Sequence, residues 1–199
     1  MEKTKEKTGK NKRNITIIGL GSWGIVLACL LDKNGHNVRI WGERGAESVK
    51  KVVEVRENKV SLPGIKIPES ILITHNAETA ATDSDIFVYA ASSNAAAFVS
   101  EVFAKYFKPE TIIINASKGF EESSQMRLSE YLQLIAPSSQ IAVLTGPSHA
   151  EEVSRGLPTA ILAVSENPET AVEVQRIFAN ESFRVYTSDD MIGAELGGA

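Results

Sequence analysis

"IIGLGSWGIVLACLLDKNG", residues 17–35, sets three glycines between a β-branched run and an amphipathic helical pattern. Each glycine costs roughly 0.5–1 kcal/mol relative to alanine inside regular structure, so Gly19, Gly21 and Gly24 imply a need for bare backbone. The spacing is G-x-G-x-x-G, and its context gives it meaning: a strand precedes it and a helix opens from it. The first glycine permits a tight turn, the second lets backbone approach a pyrophosphate, and the third lets helix and strand pack closely. The helix N-terminus then offers free N–H groups and a partial positive charge to an anion. An ordinary glycine-rich βα turn is the plainer alternative.

Outward from this turn, the second strand ends in "VRIWGERG", residues 38–45, and Glu43 lies nineteen residues after Gly24. An acid near this spacing accepts hydrogen bonds from an adenosine ribose diol, which favours NAD. Arg44, next to it, could instead meet a 2′-phosphate. NAD and NADP therefore both stand, with the lean to NAD; a solvated Glu–Arg loop is the alternative without a ligand.

The rest of the chain alternates short apolar runs with helical periodicity. Strands are expected at 15–18, 38–41, 71–74, 86–90, 111–115, 141–145, 159–164 and 183–187. Helices are expected at 22–34, 46–58, 95–106, 123–135 and 168–179. Turn signals separate them, among them Asn34-Gly35, Lys108-Pro109 and Asn167-Pro168. This pattern predicts an α/β fold: a Rossmann-like, doubly wound, mostly parallel sheet with helices on both faces. At the C-terminus, "TSDDMIGAELGGA" reads as a helix capped by Asp189 or Asp190, with Met191, Ile192 and Leu196 on an apolar face. A helix so short has little to pack against in its own domain, so 189–199 reads as the start of a truncated second, helical domain. Residues 14–188 form the dinucleotide-binding domain on this reading.

Charge and composition narrow the function. Residues 1–13, "MEKTKEKTGKNKR", carry six Lys or Arg against two Glu, a net +4, and lack an apolar stretch; they read as a disordered basic tail and not a secretory signal. The whole chain is −4, so residues 14–199 carry −8, which argues against broad polyanion binding such as to nucleic acid. The longest apolar run, Ile25–Leu31, has seven residues, against about 20 for a membrane span. Cys29 is the single cysteine; it falls on a helix beside Leu27, Leu30 and Leu31 and reads as core. One thiol and no secretion signal point to the cytoplasm. His36 falls in a turn and His75 at a strand end, and no spacing suggests a metal site.

Two further stretches carry chemistry. In "TIIINASKG", residues 111–119, Lys118 follows a buried strand and Gly119 turns the chain. Carboxyl ends of parallel strands form the ligand crevice, so this ammonium should meet a polar or anionic group; it could polarise a ketone oxygen during hydride transfer. In "TGPSHAEE", residues 145–152, Gly146-Pro147 makes a stiff turn, and Ser148 with Glu151 three residues on suggests a capping box. His149 has no identifiable partner that would make it a base.

Together with "GLGSWG" (19–24), "NKVSLPGIKIP" (58–68), "NASKGF" (115–120), "LTGPSHAEEVSRGLPTA" (144–160) and "RVYTSDDMIGAELGGA" (184–199), these stretches resemble the NAD(P)-dependent glycerol-3-phosphate dehydrogenase family of bacterial type. The resemblance spans the chain from about residue 14 to its end. It implies reversible reduction of dihydroxyacetone phosphate, a phosphorylated triose, to sn-glycerol 3-phosphate, feeding phospholipid synthesis, and a possible homodimer in the full-length form. Carried over by position, Ser22, Trp23, Glu43, Arg44, Ser93 and Ala150 contact the cofactor. Lys118 touches cofactor and substrate, Gly146 and Ser148 lie at the substrate, and His149 is a wall. The proton-transferring lysine that the resemblance implies follows "ELGGA" directly and is absent from the chain, so cofactor binding with poor turnover is expected. Ser61 departs from a frequent tyrosine, and Ala91-Ser92 from Val-Pro. Two other readings stand: a dehydrogenase of another hydroxy compound, and a stand-alone NAD(P)-binding module without catalysis.

Overall fold

In the computed structural model, which describes residues 12–198, the alternating pattern becomes one sheet of eight strands, together with eight α-helices. They run β1 (Asn14–Ile18), α1 (Ser22–Lys33), β2 (Asn37–Trp41), α2 (Ala46–Val55), β3 (Leu72–Thr74), α3 (Ala77–Ala81), β4 (Ile86–Tyr89) and α4 (Ala96–Phe103). There follow β5 (Ile112–Asn115), α5 (Leu128–Ile135), β6 (Gln140–Thr145), α6 (Ala150–Ser154), β7 (Thr159–Val164), α7 (Pro168–Phe178), β8 (Phe183–Ser188) and α8 (Met191–Gly198). Strand order is β3-β2-β1-β4-β5-β6-β7-β8. All neighbours are parallel except β6 and β7, which pair antiparallel. The winding direction reverses between β1 and β4, and that switch point opens a crevice at the strands' carboxyl ends.

Strands buried on both faces need apolar side chains on both. Ile15, Ile17 and Ile40 face one layer with Leu27 and Leu31 of α1 and Val174 and Phe178 of α7. Ile18, Trp41, Phe87 and Tyr89 face the other, with Val99 and Phe103 of α4 and Leu132 of α5. Burying each such large side chain contributes about 1.5–3 kcal/mol. Polar groups in these layers are satisfied: the Thr16 hydroxyl, fully buried, donates to the Ala80 carbonyl at 2.6 Å, and the Trp41 indole N–H donates to the His75 carbonyl at 2.9 Å.

Several expectations shift for identifiable reasons. The helix expected over 46–58 stops at Val55, because Arg56 turns left-handed (φ +51°). Its guanidinium then donates to the carbonyls of Ile67, Pro68 and Ile71. The helix expected over 123–135 starts only at Leu128. Ser123 and Ser124 instead donate both backbone and hydroxyl groups to the buried Glu121 carboxylate. Helix α3 was not expected; its signal was Asn76, whose side chain accepts from the Thr79 N–H at 2.9 Å. The helix expected over 95–106 is α4 flanked by short 3₁₀ turns at 93–95 and 104–106.

The ends also differ. Residues 1–11 of the basic tail lie outside the described residues, but Arg13 is docked and pairs with Glu173 at 2.7 Å. Cys29 packs against the first core layer and is partly accessible; burial, then nearby Asp32, pushes its thiol up to about 11. Helix α8 has more to pack against than its length suggested. Met191 and Ala194 lie against Val143 and Val164, and Asp190 accepts the Gly193 N–H at 2.8 Å. Ile192 and Leu196, expected on the packed face, are exposed. No helix among the described residues is long and apolar enough to cross a membrane.

Candidate functional site

The turn between β1 and α1 is built by backbone approaching backbone. Gly19 adopts φ +128°, and a Cβ there would sit 2.6 Å from the Ala90 carbonyl oxygen. A Cβ on Gly24 would lie 2.2 Å from the Gly19 carbonyl oxygen. Both positions therefore exclude alanine. Gly21 is different: nothing approaches within 4 Å of where its Cβ would stand. That empty space lies over the start of α1, which has no side-chain cap and no acidic residue in its first turn. A helix start left bare in this way keeps its N–H donors and dipole for an anion. The residues present thus fit a dinucleotide's pyrophosphate.

From this turn opens a crevice of about 440 Å³ across the ends of β1, β4, β5 and β6. It brings together Gly21, Ser22, Trp23, Lys118, Gly146, Ser148 and Ala150. Lys118 is exposed and carries no ion pair among the described residues. Its turn is fixed from behind, since the Ser117 hydroxyl donates to the Ala91 carbonyl at 2.6 Å. Tyr89, whose phenol burial and then the Glu43 charge push up, donates to the Ser92 carbonyl at 2.6 Å. The Ala91-Ser92 segment is thereby held at the crevice wall.

Gly19 and Gly24 shape this space without lining it, and Ser93 lies just behind Lys118, against Gly119. Glu43 and Arg44 sit beyond the crevice, past β2, and part company there: Glu43 is 17% exposed and Arg44 71%, their charged groups 3.7 Å apart. Glu43 Oε2 is buried and accepts no hydrogen bond among the described residues. A buried carboxylate oxygen left without a donor is costly, and a ribose diol is a donor of the right kind.

The capping box expected at Ser148 is not formed. His149 is the cap residue of α6, with no side-chain cap bond. The Ser148 hydroxyl points back to the Gly146 carbonyl at 3.5 Å, because the stiff Gly-Pro turn holds it over the crevice. His149 and Glu151 also line the space.

Sequence reasoning passed over Ser117 and Thr145, also lining the crevice, and Asn58, whose side-chain amide donates to the Leu20 carbonyl at 2.8 Å and ties the 58–61 turn to the glycine turn. The adjacent serine that stands in for a tyrosine, Ser61, gives its N–H to the same Asn58 side chain at 3.0 Å. Among the described residues no three His, Cys, Asp or Glu side chains converge as a metal site would.

Residues 14–171 match the family described as NAD-dependent glycerol-3-phosphate dehydrogenase N-terminus. The chain belongs to that family. A glycerol-3-phosphate dehydrogenase [NAD(P)+] of Fusobacterium nucleatum is 45% identical over 187 residues, covering 93% of this chain and 56% of the relative. The crystal structure of glycerol-3-phosphate dehydrogenase from Coxiella burnetii superposes with a TM-score of 0.88 at 30% identity, covering 94% of this chain and 57% of that one. The chain spans about half the length of the curated relatives it matches. The fold by itself is not diagnostic of chemistry. A UDP-D-ManNAc dehydrogenase from Pyrococcus horikoshii shares it at a TM-score of 0.76 and 14% identity, over 93% of this chain and 49% of that one.

Proposed function

We propose that this chain is the cofactor-binding part of a glycerol-3-phosphate dehydrogenase, holding a nicotinamide dinucleotide while sn-glycerol 3-phosphate and dihydroxyacetone phosphate interconvert. The observation that carries this is the bare start of α1 beneath Gly21, in the same crevice as the exposed ammonium of Lys118. The backbone N–H groups of Ser22 and Trp23 hold the pyrophosphate. Glu43 receives the ribose diol, which favours NAD over NADP, because a 2′-phosphate would face its carboxylate. Arg44 is free enough to turn toward such a phosphate, so the preference is a matter of degree. Ala150, at the start of α6, and Ser93, behind Gly119, complete the cofactor's wall. The bound nicotinamide supplies or accepts the hydride.

On the protein side, Lys118 directs a positive charge at the carbonyl oxygen of a triose in the crevice, where negative charge develops on reduction. Gly146 and Ser148 keep that substrate in register. A cytoplasmic location accompanies this reading.

Separate titrations with NADH and NADPH test it. NADH is expected to bind, and more tightly than NADPH. Glu43→Ala should weaken NADH about tenfold, from the loss of a charge-assisted hydrogen bond, and leave NADPH unchanged or improved. No heat with either cofactor would overturn the reading; NADPH binding more tightly than NADH would overturn the role given to Glu43.

A further inference from the structure

The carboxylate of Glu195, on α8, is buried, with its side chain 8% exposed. Donors from two parts of the chain, the end of β5 and the start of α5, converge on it. Oε1 accepts from the Asn115 side-chain amide at 3.0 Å and from the Ser129 N–H at 3.0 Å. Oε2 accepts from Arg127 Nη1 at 2.9 Å and from the Ser129 hydroxyl at 2.5 Å. A buried ion pair is a poor source of net stability, because desolvation offsets its attraction. Its directional bonds do, however, fix where the partner groups sit.

Asn115 is the link from this carboxylate to the crevice. It ends β5 and is 1% exposed. While its amide donates to Glu195, its Oδ1 accepts the Ser117 N–H at 3.0 Å. Ser117 in turn donates its hydroxyl to the Ala91 carbonyl on the crevice wall. Lys118 is the next residue. Lys118, Gly119, Thr145, Glu195 and Gly198 border a gap of only about 10 Å³, so the end of α8 backs directly onto the turn that carries the ammonium.

We propose that Glu195 is a positioning residue for Lys118, acting through Asn115. The carboxylate orients the Asn115 amide, the amide's other end fixes the Ser117 N–H, and the 115–119 turn is thereby held in the one conformation that presents Lys118 to the crevice. Movement of α8 would be felt at Lys118 through these two bonds. The functional meaning of this positioning rests on the cofactor reading above; the positioning itself does not.

Hydrogen–deuterium exchange on the full 199-residue chain tests the link, with Asn115→Ala and Glu195→Gln compared against Ser129→Ala. Asn115→Ala leaves the net charge of the network unchanged and removes only the amide that links the carboxylate to the 115–119 turn. Glu195→Gln keeps the shape and serves if the alanine variant fails to fold. Ser129→Ala removes a bond to the same carboxylate on the side away from Asn115. Amides 116–119 are expected to exchange about tenfold faster in the first two variants, and to stay within about twofold of wild type in Ser129→Ala even where its melting temperature falls. NADH affinity should follow the exchange, falling about tenfold in the first two only. Wild-type exchange at 116–119 in Asn115→Ala and Glu195→Gln, or equal acceleration in Ser129→Ala, would overturn the inference. Failure of the wild-type chain to bind NADH would overturn the cofactor reading alone, since the exchange result stands without it.

Discussion

The turn at residues 18–24 and the turn at residues 115–119 open onto one crevice, yet different physics holds them. The first is defined by missing side chains: Gly19 and Gly24 let main chain meet main chain at distances no Cβ tolerates. The second is defined by side chains that reach across the fold, with Asn115 bonded to a residue 80 positions away. A turn made by exclusion is rigid for steric reasons. A turn made by hydrogen bonds is only as rigid as its partners, so it can respond to them. The cofactor's phosphates would rest on the first and the reacting end of the crevice on the second.

The sharpest way to break this comparison is to add a methyl group to each glycine in turn. Gly19→Ala meets both a left-handed backbone and the Ala90 carbonyl. It should cost about 3–5 kcal/mol in urea unfolding, from backbone strain together with overpacking, and abolish NADH binding. Gly21→Ala meets nothing within the protein. Its stability should stay within about 1 kcal/mol of wild type, the scale of a changed helix cap, while NADH affinity falls at least tenfold. If Gly21→Ala binds NADH normally, the space above it is not the phosphate cradle.

The hydrogen-bonded turn has its own weak point. Arg127 neutralises Glu195 and is about a quarter exposed, so solvent screens part of the pair. Arg127→Met should cost about 2 kcal/mol, less than the 3–5 kcal/mol typical of a fully buried pair that loses one partner. The loss should centre on α5 and α8, visible as faster hydrogen exchange there. A cost near zero would mean that Glu195 is held by its neutral donors alone.

The same contrast explains what the sequence disclosed. All eight strands, the mostly parallel sheet and the glycine turn follow from local patterns, because β-branched periodicity and G-x-G-x-x-G spacing act over a few residues. Lys118 was placed at the crevice because strand ends in such a sheet face it, and Gly146 and Ser148 because of the family resemblance; all three line that space. Glu195 sat in a stretch read for its helix pattern and its family resemblance and was given no role of its own, since nothing local distinguishes a carboxylate that is buried and shared from one that is solvated. The late start of α5 was hidden for the same reason. Serines 123 and 124 fit a helical pattern, but the Glu121 carboxylate offers them better bonds.

Glu121 gives the smallest effect and one that pH resolves. Its carboxylate gathers the hydroxyl and backbone donors of Ser123 and Ser124, bonds made to the charged form, which hold it down at about 2 against an ordinary value of 4.5. A group depressed in the folded state contributes stability above its unfolded value and loses it as pH falls toward the folded one. The contribution should therefore be complete above about pH 4.5 and fade between there and about pH 2. Glu121→Gln keeps the shape but weakens the charge-assisted bonds, so it should melt a few degrees below wild type at pH 7. That difference should narrow steadily below pH 4.5, because the unfolded chain takes up the proton before the folded one does, and close near pH 2, where the folded carboxylate is protonated too and the two side chains become alike. A difference that stays constant down to pH 2.5 would mean that the shape of the 121–126 turn holds it, not its charge. This turn would then resemble the glycine turn more than the network at Glu195.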